Sequence, residues 1–178
     1  MKYTTLLDKK ILKKFIKIAG NTLNGNWVLI GGTVLPLLEV DYRATVDIDL
    51  ISTIPTQQNQ TLKLMEIAEN LGLPIESVNQ AAAFFLYRIK DFNHHLLLLH
   101  QGKTCKIFRP NLYLYVLLKL KRFSESDCSD CLHYLQFTQK NKEQYNKQKL
   151  VSEILKELEN TNTQEKKVRL KALLNALG

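Results

Sequence analysis

Hydrophobic positions along this chain recur with two periods. Leu6, Leu7, Ile11, Leu12, Phe15, Ile16, Ile18 and Ala19 keep helical spacing with lysines on the opposite face, which predicts an amphipathic helix closing near Gly20. Asn24-Gly25-Asn26 is turn chemistry, and the apolar run from Trp27 to Ile30 predicts a short buried strand running into Gly31-Gly32. Thr33 can cap a short helix over 34–39, because Pro36 is tolerated within a first turn. Residues 45–51 alternate cleanly, with Val46, Ile48 and Leu50 on one side and Thr45, Asp47 and Asp49 on the other, so they read as a strand with one face in the core.

Further along, residues 60–71 form a helix closed by Gly72 and Pro74. Val78, Ala81, Ala82, Phe85, Leu86 and Ile89 keep i, i+3, i+4, i+7 spacing and predict another helix from Ser77 onward. Residues 96–99 and 105–108, separated by Gln101-Gly102-Lys103, look like a hairpin. Pro110 opens a helix over 111–122, a second follows Ser124-Glu125-Ser126, and the tail from Asn141 is two helical segments broken by Asn160-Thr161-Asn162. Strands and helices interleave and then give way to helices alone. The fold class is α/β or α+β, with a small mixed sheet flanked by helices over 1–110 and an all-helical region over 111–178 packed on that core.

Composition narrows the class further. With 178 residues, 45% hydrophobic and 24% charged, the chain can bury a core without disulfide staples. Leu96–Leu99, the longest pure aliphatic run, is far shorter than the roughly 20 apolar residues a membrane helix needs. Three cysteines read as reduced thiols, and the expected setting is cytoplasmic. The net charge of +8 is uneven: about +5 over 1–20, −4 over 21–101, +6 over 102–149 and +1 over the remainder. An acidic middle between basic flanks suggests metal or phosphate chemistry beside a polyanion-binding surface.

Asp47-Ile48-Asp49 is the strongest chemical feature. Carboxylates at i and i+2 of a strand project from one face and can share a divalent cation, which relieves their mutual repulsion. An isolated pair of this kind is commonly just solvated, but its context here is informative. Sixteen residues upstream of Asp47, a strand ends in Gly31-Gly32 and a helix begins. Glycines at such a junction let backbone N–H groups approach a phosphate. A phosphate-cradling turn followed by a metal-binding strand points to metal-assisted displacement at a nucleotide phosphorus.

Gly31-Gly32-Thr33-x-Leu35 followed by Arg43-x-Thr45-x-Asp47-Ile48-Asp49-Leu50 resembles the signature of the nucleotidyltransferase superfamily, and within it the AbiEii-type toxins and their MenT-like relatives. Lys119-x-x-Arg122-x-x-x-x-Asp127-x-x-Asp130 is similar to that group's second block. The likeness spans about residues 25–135. It implies that Gly31, Gly32 and Thr33 hold the triphosphate of an NTP and that Asp47 and Asp49 bind Mg²⁺ (or Mn²⁺). It further implies that Lys119 meets triphosphate charge and that Asp127 is base or positioner for the incoming hydroxyl. Arg43 would brace the carboxylates or touch phosphate, and Asp130 would cap or pair with a neighbour. The implied acceptor is RNA, often the tRNA 3′ end, and the implied partner is a cognate antitoxin protein. Two departures stand out: no Asp or Glu lies in 92–107 to serve as a third sheet carboxylate, and the Lys119-to-Asp127 spacing is short. The rivals are an antibiotic-type enzyme with a small-molecule acceptor and a catalytically silent nucleotide- or RNA-binding domain.

Other features read as structure. Cys128-x-x-Cys131 with His133 is only half a zinc site, and i, i+3 cysteines on a helix suit a core. His94, His95 and His100 bracket a strand. Tyr113 and Tyr115 read as helix-core aromatics, and the Lys140–Lys149 run as a solvated face.

Overall fold

The computed structural model describes residues 8–40, 42–43, 45–55 and 60–178. Leu6 and Leu7, expected in the first helix, lie outside the described residues. The chain divides into two compact units, Met1–Pro110 and Asn111–Gly178.

The first unit is a five-stranded mixed sheet with helices. Helix α1 (Lys9–Thr22) starts where the Asp8 carboxylate accepts from the Ile11 N–H at 2.7 Å, and its apolar stripe buries Leu12, Phe15, Ile16 and Ala19. Strand β1 (Gly25–Ile30) follows, then a single helical turn α2 (Val34–Leu37), β2 (Ile48–Ser52), α3 (Thr61–Asn70), a two-residue β3 (Val78–Asn79), the short α4 (Ala83–Leu86), β4 (Leu96–Gln101) and β5 (Cys105–Pro110). The strand order is β3-β2-β1-β5-β4. β1 pairs antiparallel with β2 and parallel with β5, β3 joins β2 in parallel, and β4 and β5 form the expected antiparallel hairpin with a bulge near Leu98.

Two readings of the pattern are corrected. The strand expected over 45–51 occupies Ile48–Ser52, because β1 ends at Ile30 opposite Asp49 and β3 begins at Val78 opposite Ile48, so neither neighbour offers a ladder partner before Ile48. The helix expected from Ser77 is instead a 3₁₀ turn, β3 and the four-residue α4. There the Asn79 side chain accepts from the Ala81 N–H at 2.8 Å and the Ala83 N–H donates to the Gln80 carbonyl at 3.0 Å, so local turn bonds displace a continuous helix. Phe85, placed by its spacing on the buried stripe, is exposed.

The registers assign the two sheet faces. The Cys105 thiol reaches the Ala19 carbonyl at 3.5 Å, so the β5 residues alternating with Cys105 face α1. Trp27 stands beside Ile107 and Leu29 beside Leu50, and these four are fully buried on that same face. Asp49 alternates with Leu50 and belongs to the opposite face. The buried stripe of α1 therefore packs on the sheet face opposite to Asp49.

The second unit is four helices: α5 (Leu112–Leu120), α6 (Glu125–Lys140), α7 (Lys147–Asn160) and α8 (Gln164–Leu177). Asn111, Ser124 and Asn146 cap α5, α6 and α7 with their side chains. Their shared core holds Leu114, Tyr115, Val116, Cys131, Tyr134, Ile154, Leu170 and Leu173, with the Tyr115 and Tyr134 rings 4.5 Å apart. Cys128 and Cys131 are buried free thiols, and Tyr113 is buried as well.

The hairpin turn sets a strict demand at Gly102. Thr104 N–H donates to the Gly20 carbonyl at 3.2 Å and Lys103 N–H to Asn21 at 3.0 Å, which draws the turn onto the end of α1. A Cβ on Gly102 would fall on the Gly20 carbonyl, which is backbone and cannot swing aside. Gly102→Ala is expected to cost about 1–3 kcal/mol through overpacking, read as a lowered urea midpoint at unchanged slope.

Candidate functional site

β1 delivers the chain into Gly31, whose φ of 75° is open to glycine at no steric cost. Ile30 pairs with Asp49 across the β1–β2 ladder, so the Asp49 side chain leaves the sheet beside that turn. A Cβ built on Gly31 would strike the Asp49 carboxylate, and one built on Gly32 would strike the Arg43 guanidinium. The glycine pair thus lies directly beneath one carboxylate and one guanidinium. Asp47, two residues before Asp49 and outside the ladder, is exposed, while Asp49 is half-buried. Arg43 Nε also donates to the Tyr42 hydroxyl at 3.1 Å. Four of the residues singled out from sequence, Gly31, Gly32, Arg43 and Asp49, therefore meet in one cluster.

Thr33 takes a different place from the one expected. It is fully buried, forms no side-chain cap on α2, and donates its hydroxyl to the Ile30 carbonyl at 3.1 Å. It thereby locks the turn. At four residues, α2 aligns too few peptide dipoles to contribute much field at its N-terminus. Any anion held here would be held by the glycine turn and Arg43.

The carboxylates suit a hard cation in one respect. Mg²⁺ keeps several waters and is commonly held by one or two carboxylates together with substrate phosphates, and Asp47 and Asp49 beside the glycine turn offer such carboxylates. No group of three His, Cys, Asp or Glu able to hold a metal exists among the described residues. Asn79 is the β3 register partner of Asp49 and shares its face, so the sheet carries a neutral amide next to that carboxylate. The sequence concealed Asn79 because its two-residue strand has no periodicity of its own and sits inside a convincing helical pattern.

The second block forms a buried ion cluster in the helical unit. Lys119, 9% exposed, donates to Asp130 at 2.8 Å and to Asp127 at 3.0 Å. Arg122 adds two 2.7 Å bonds to Asp127, and the Ser124 N–H and hydroxyl add bonds of 3.0 and 2.9 Å as part of the α6 capping box. Burial favours a protonated Asp127, but the Arg122, Lys119 and Ser124 bonds outweigh it and hold the carboxyl well below its usual range. Burial likewise pulls Lys119 down, and the Asp130 and Asp127 charges outweigh it and push its pKa up. Lys119 and Asp127 are therefore both ionised, and they neutralise each other. Nearby, α8 supports the α5–α6 turn: Lys166 donates to the Lys121 carbonyl at 2.7 Å and Arg169 to the Phe123 carbonyl at 2.9 Å.

Residues 7–166 match the family model described as a nucleotidyltransferase of unknown function, DUF6036. No curated protein and no solved structure matches the chain. No helix of the described residues is long and apolar enough to cross a membrane.

The ion cluster has a pH signature. Because the folded pKa of Asp127 is depressed, its stabilisation is fully present above the ordinary carboxylate pKa of about 4 and is lost as pH falls toward the folded value. Asp127→Asn should flatten that acid limb in urea titrations followed across pH. Lys119→Met leaves two buried carboxylates without their shared cation and should cost about 3–5 kcal/mol at pH 7.

Proposed function

The chain belongs to this nucleotidyltransferase family, and we propose that it moves a nucleoside monophosphate from an NTP to a hydroxyl of an RNA acceptor, with Mg²⁺ or Mn²⁺, as the toxin of a toxin–antitoxin pair. The observation that carries the reading is the cluster of Gly31, Gly32, Arg43 and Asp49, a backbone cradle with one cation and one carboxylate above it. The transfer joins the acceptor oxygen to the α-phosphorus, breaks its bond to the bridging oxygen and releases pyrophosphate. In this reading the glycine turn and Arg43 bind the triphosphate, and Asp47 and Asp49 hold the cation. A bound divalent ion supplies charge neutralisation at the α-phosphate and lowers the pKa of the attacking hydroxyl.

The geometry supports the remaining roles in this reading. Thr33 shapes the turn through Ile30 and leaves phosphate contact to Gly31 and Gly32. Asp127, held ionised by three donor residues, is a positioner of Lys119 and Arg122 and a poor proton acceptor. The RNA acceptor and the antitoxin partner rest on the likeness of the two motif blocks to AbiEii-type toxins and on the net charge of +8.

Label transfer from each α-labelled NTP to total tRNA with Mg²⁺ tests the proposal. Wild type should label RNA with one preferred nucleotide, and the Asp47→Asn, Asp49→Asn double variant should fall by at least about a hundredfold, the scale of losing electrostatic stabilisation at a reacting centre. Labelling that survives that double variant, or wild type that labels nothing, would overturn it. Gly31→Ala should lose transfer as well, since its methyl group displaces the Asp49 carboxylate.

A further inference from the structure

α4 carries a feature that neither motif block uses. Phe84 and Phe85 are 56% and 54% exposed, unusual for two adjacent large aromatics on a surface turn. Their rings meet edge to face with centroids 5.5 Å apart, and the Arg88 guanidinium lies 3.8 Å from the Phe84 ring centroid. The turn beneath is well anchored. Ala83 and Leu86 are buried, and the Tyr87 hydroxyl donates to the Ser52 carbonyl at 2.7 Å. The rings are thus presented by a fixed segment.

The sheet register places this segment relative to the glycine cradle. Asn79 pairs with Asp49, and Tyr87 is tied to Ser52, three residues further along β2. At about 3.3 Å per residue, Asp49 and Ser52 are roughly 10 Å apart along the strand. Phe84 and Phe85 lie between those two tethers in sequence, and Arg88 follows directly after Tyr87, on the β3 side of the sheet.

We propose that Phe84, Phe85 and Arg88 form a stacking platform for unpaired bases of a single-stranded nucleic acid, the strand that carries the acceptor hydroxyl. Identifying that strand as the acceptor rests on the transferase reading; the platform itself does not. Exposed rings offer π-faces to any base, and a guanidinium packed against the Phe84 ring can still turn N–H groups toward phosphate. Lys90, also exposed, adds a second cation, with Asp91 closing the segment in a left-handed turn. Two rings nearly perpendicular at 85° present separate faces, which suits successive splayed bases better than the single base of an NTP.

Fluorescence anisotropy with a short labelled oligoadenylate tests this on the full chain. The Phe84→Ala, Phe85→Ala double variant should weaken binding about tenfold or more, the scale of losing base–aromatic stacking. Arg88→Lys, which keeps charge but loses the plane, should weaken it less. Binding of a blunt duplex, NTP affinity by calorimetry and the circular dichroism melt should stay as in wild type. The proposal is overturned if wild type binds no single strand, if the double variant binds it unchanged, or if NTP affinity falls in its place. It is also overturned if the double variant only abolishes self-association, which would make the patch a contact between copies. The Asp47→Asn, Asp49→Asn protein should still bind through the platform, and platform-dependent binding by a wild type that labels no RNA would support the platform while refuting the transferase.

Discussion

The pairing of Ile30 with Asp49 is the constraint on which the candidate site depends. It ends β1 at the residue before Gly31 and puts the carboxylate over a backbone that has no room for a Cβ. Glycine, register and carboxylate are mutually required. A slip by one residue would turn Asp49 onto the face beneath α1, among Trp27, Leu29 and Ile107, where an unpaired carboxylate has no compensating partner. The hydrophobic alternation of β2 and the position of its charged residues are therefore one specification.

The helical unit solves a different problem. Its α5–α6 turn leaves carbonyls at Lys121 and Phe123 and buries Lys119, Asp127 and Asp130 around them. Buried ion pairs add little net stability against an apolar core of equal volume, but removing one partner is costly. Such a cluster acts mainly as a geometric lock. It joins the end of α5 to the start of α6 through one lysine, while Lys166 and Arg169 of α8 close the carbonyls. Motif residues that read as reactive in one dimension are, in three, holding one another.

Much of the frame was legible in order along the chain. Helix α1, strand β1, the β4–β5 hairpin and all four C-terminal helices follow from apolar periodicity and from caps such as Asn111, Ser124 and Asn146, because these depend on neighbours a few residues away. The sequence set Gly31-Gly32 at a strand end and Asp49 on a later strand, and the ladder brings these together, while Asp47 stays exposed and outside it. What misled was residues 77–89. Their helical spacing is genuine, yet Val78 and Asn79 gain more by extending the sheet beside Ile48 and Asp49, and Asn79 then bonds back to Ala81.

The sequence by itself determined the class of the fold, the order of its helices and the residue types gathered at the candidate site, because those are matters of period, cap and composition. Only the tertiary structure decided that Arg43 stands over Gly32, that Thr33 turns inward to Ile30, that Lys119 is shared between two aspartates and that Phe84 and Phe85 face outward. Each of these is a choice among partners distant in sequence, settled by strand register and by the cost of leaving a buried polar group without one.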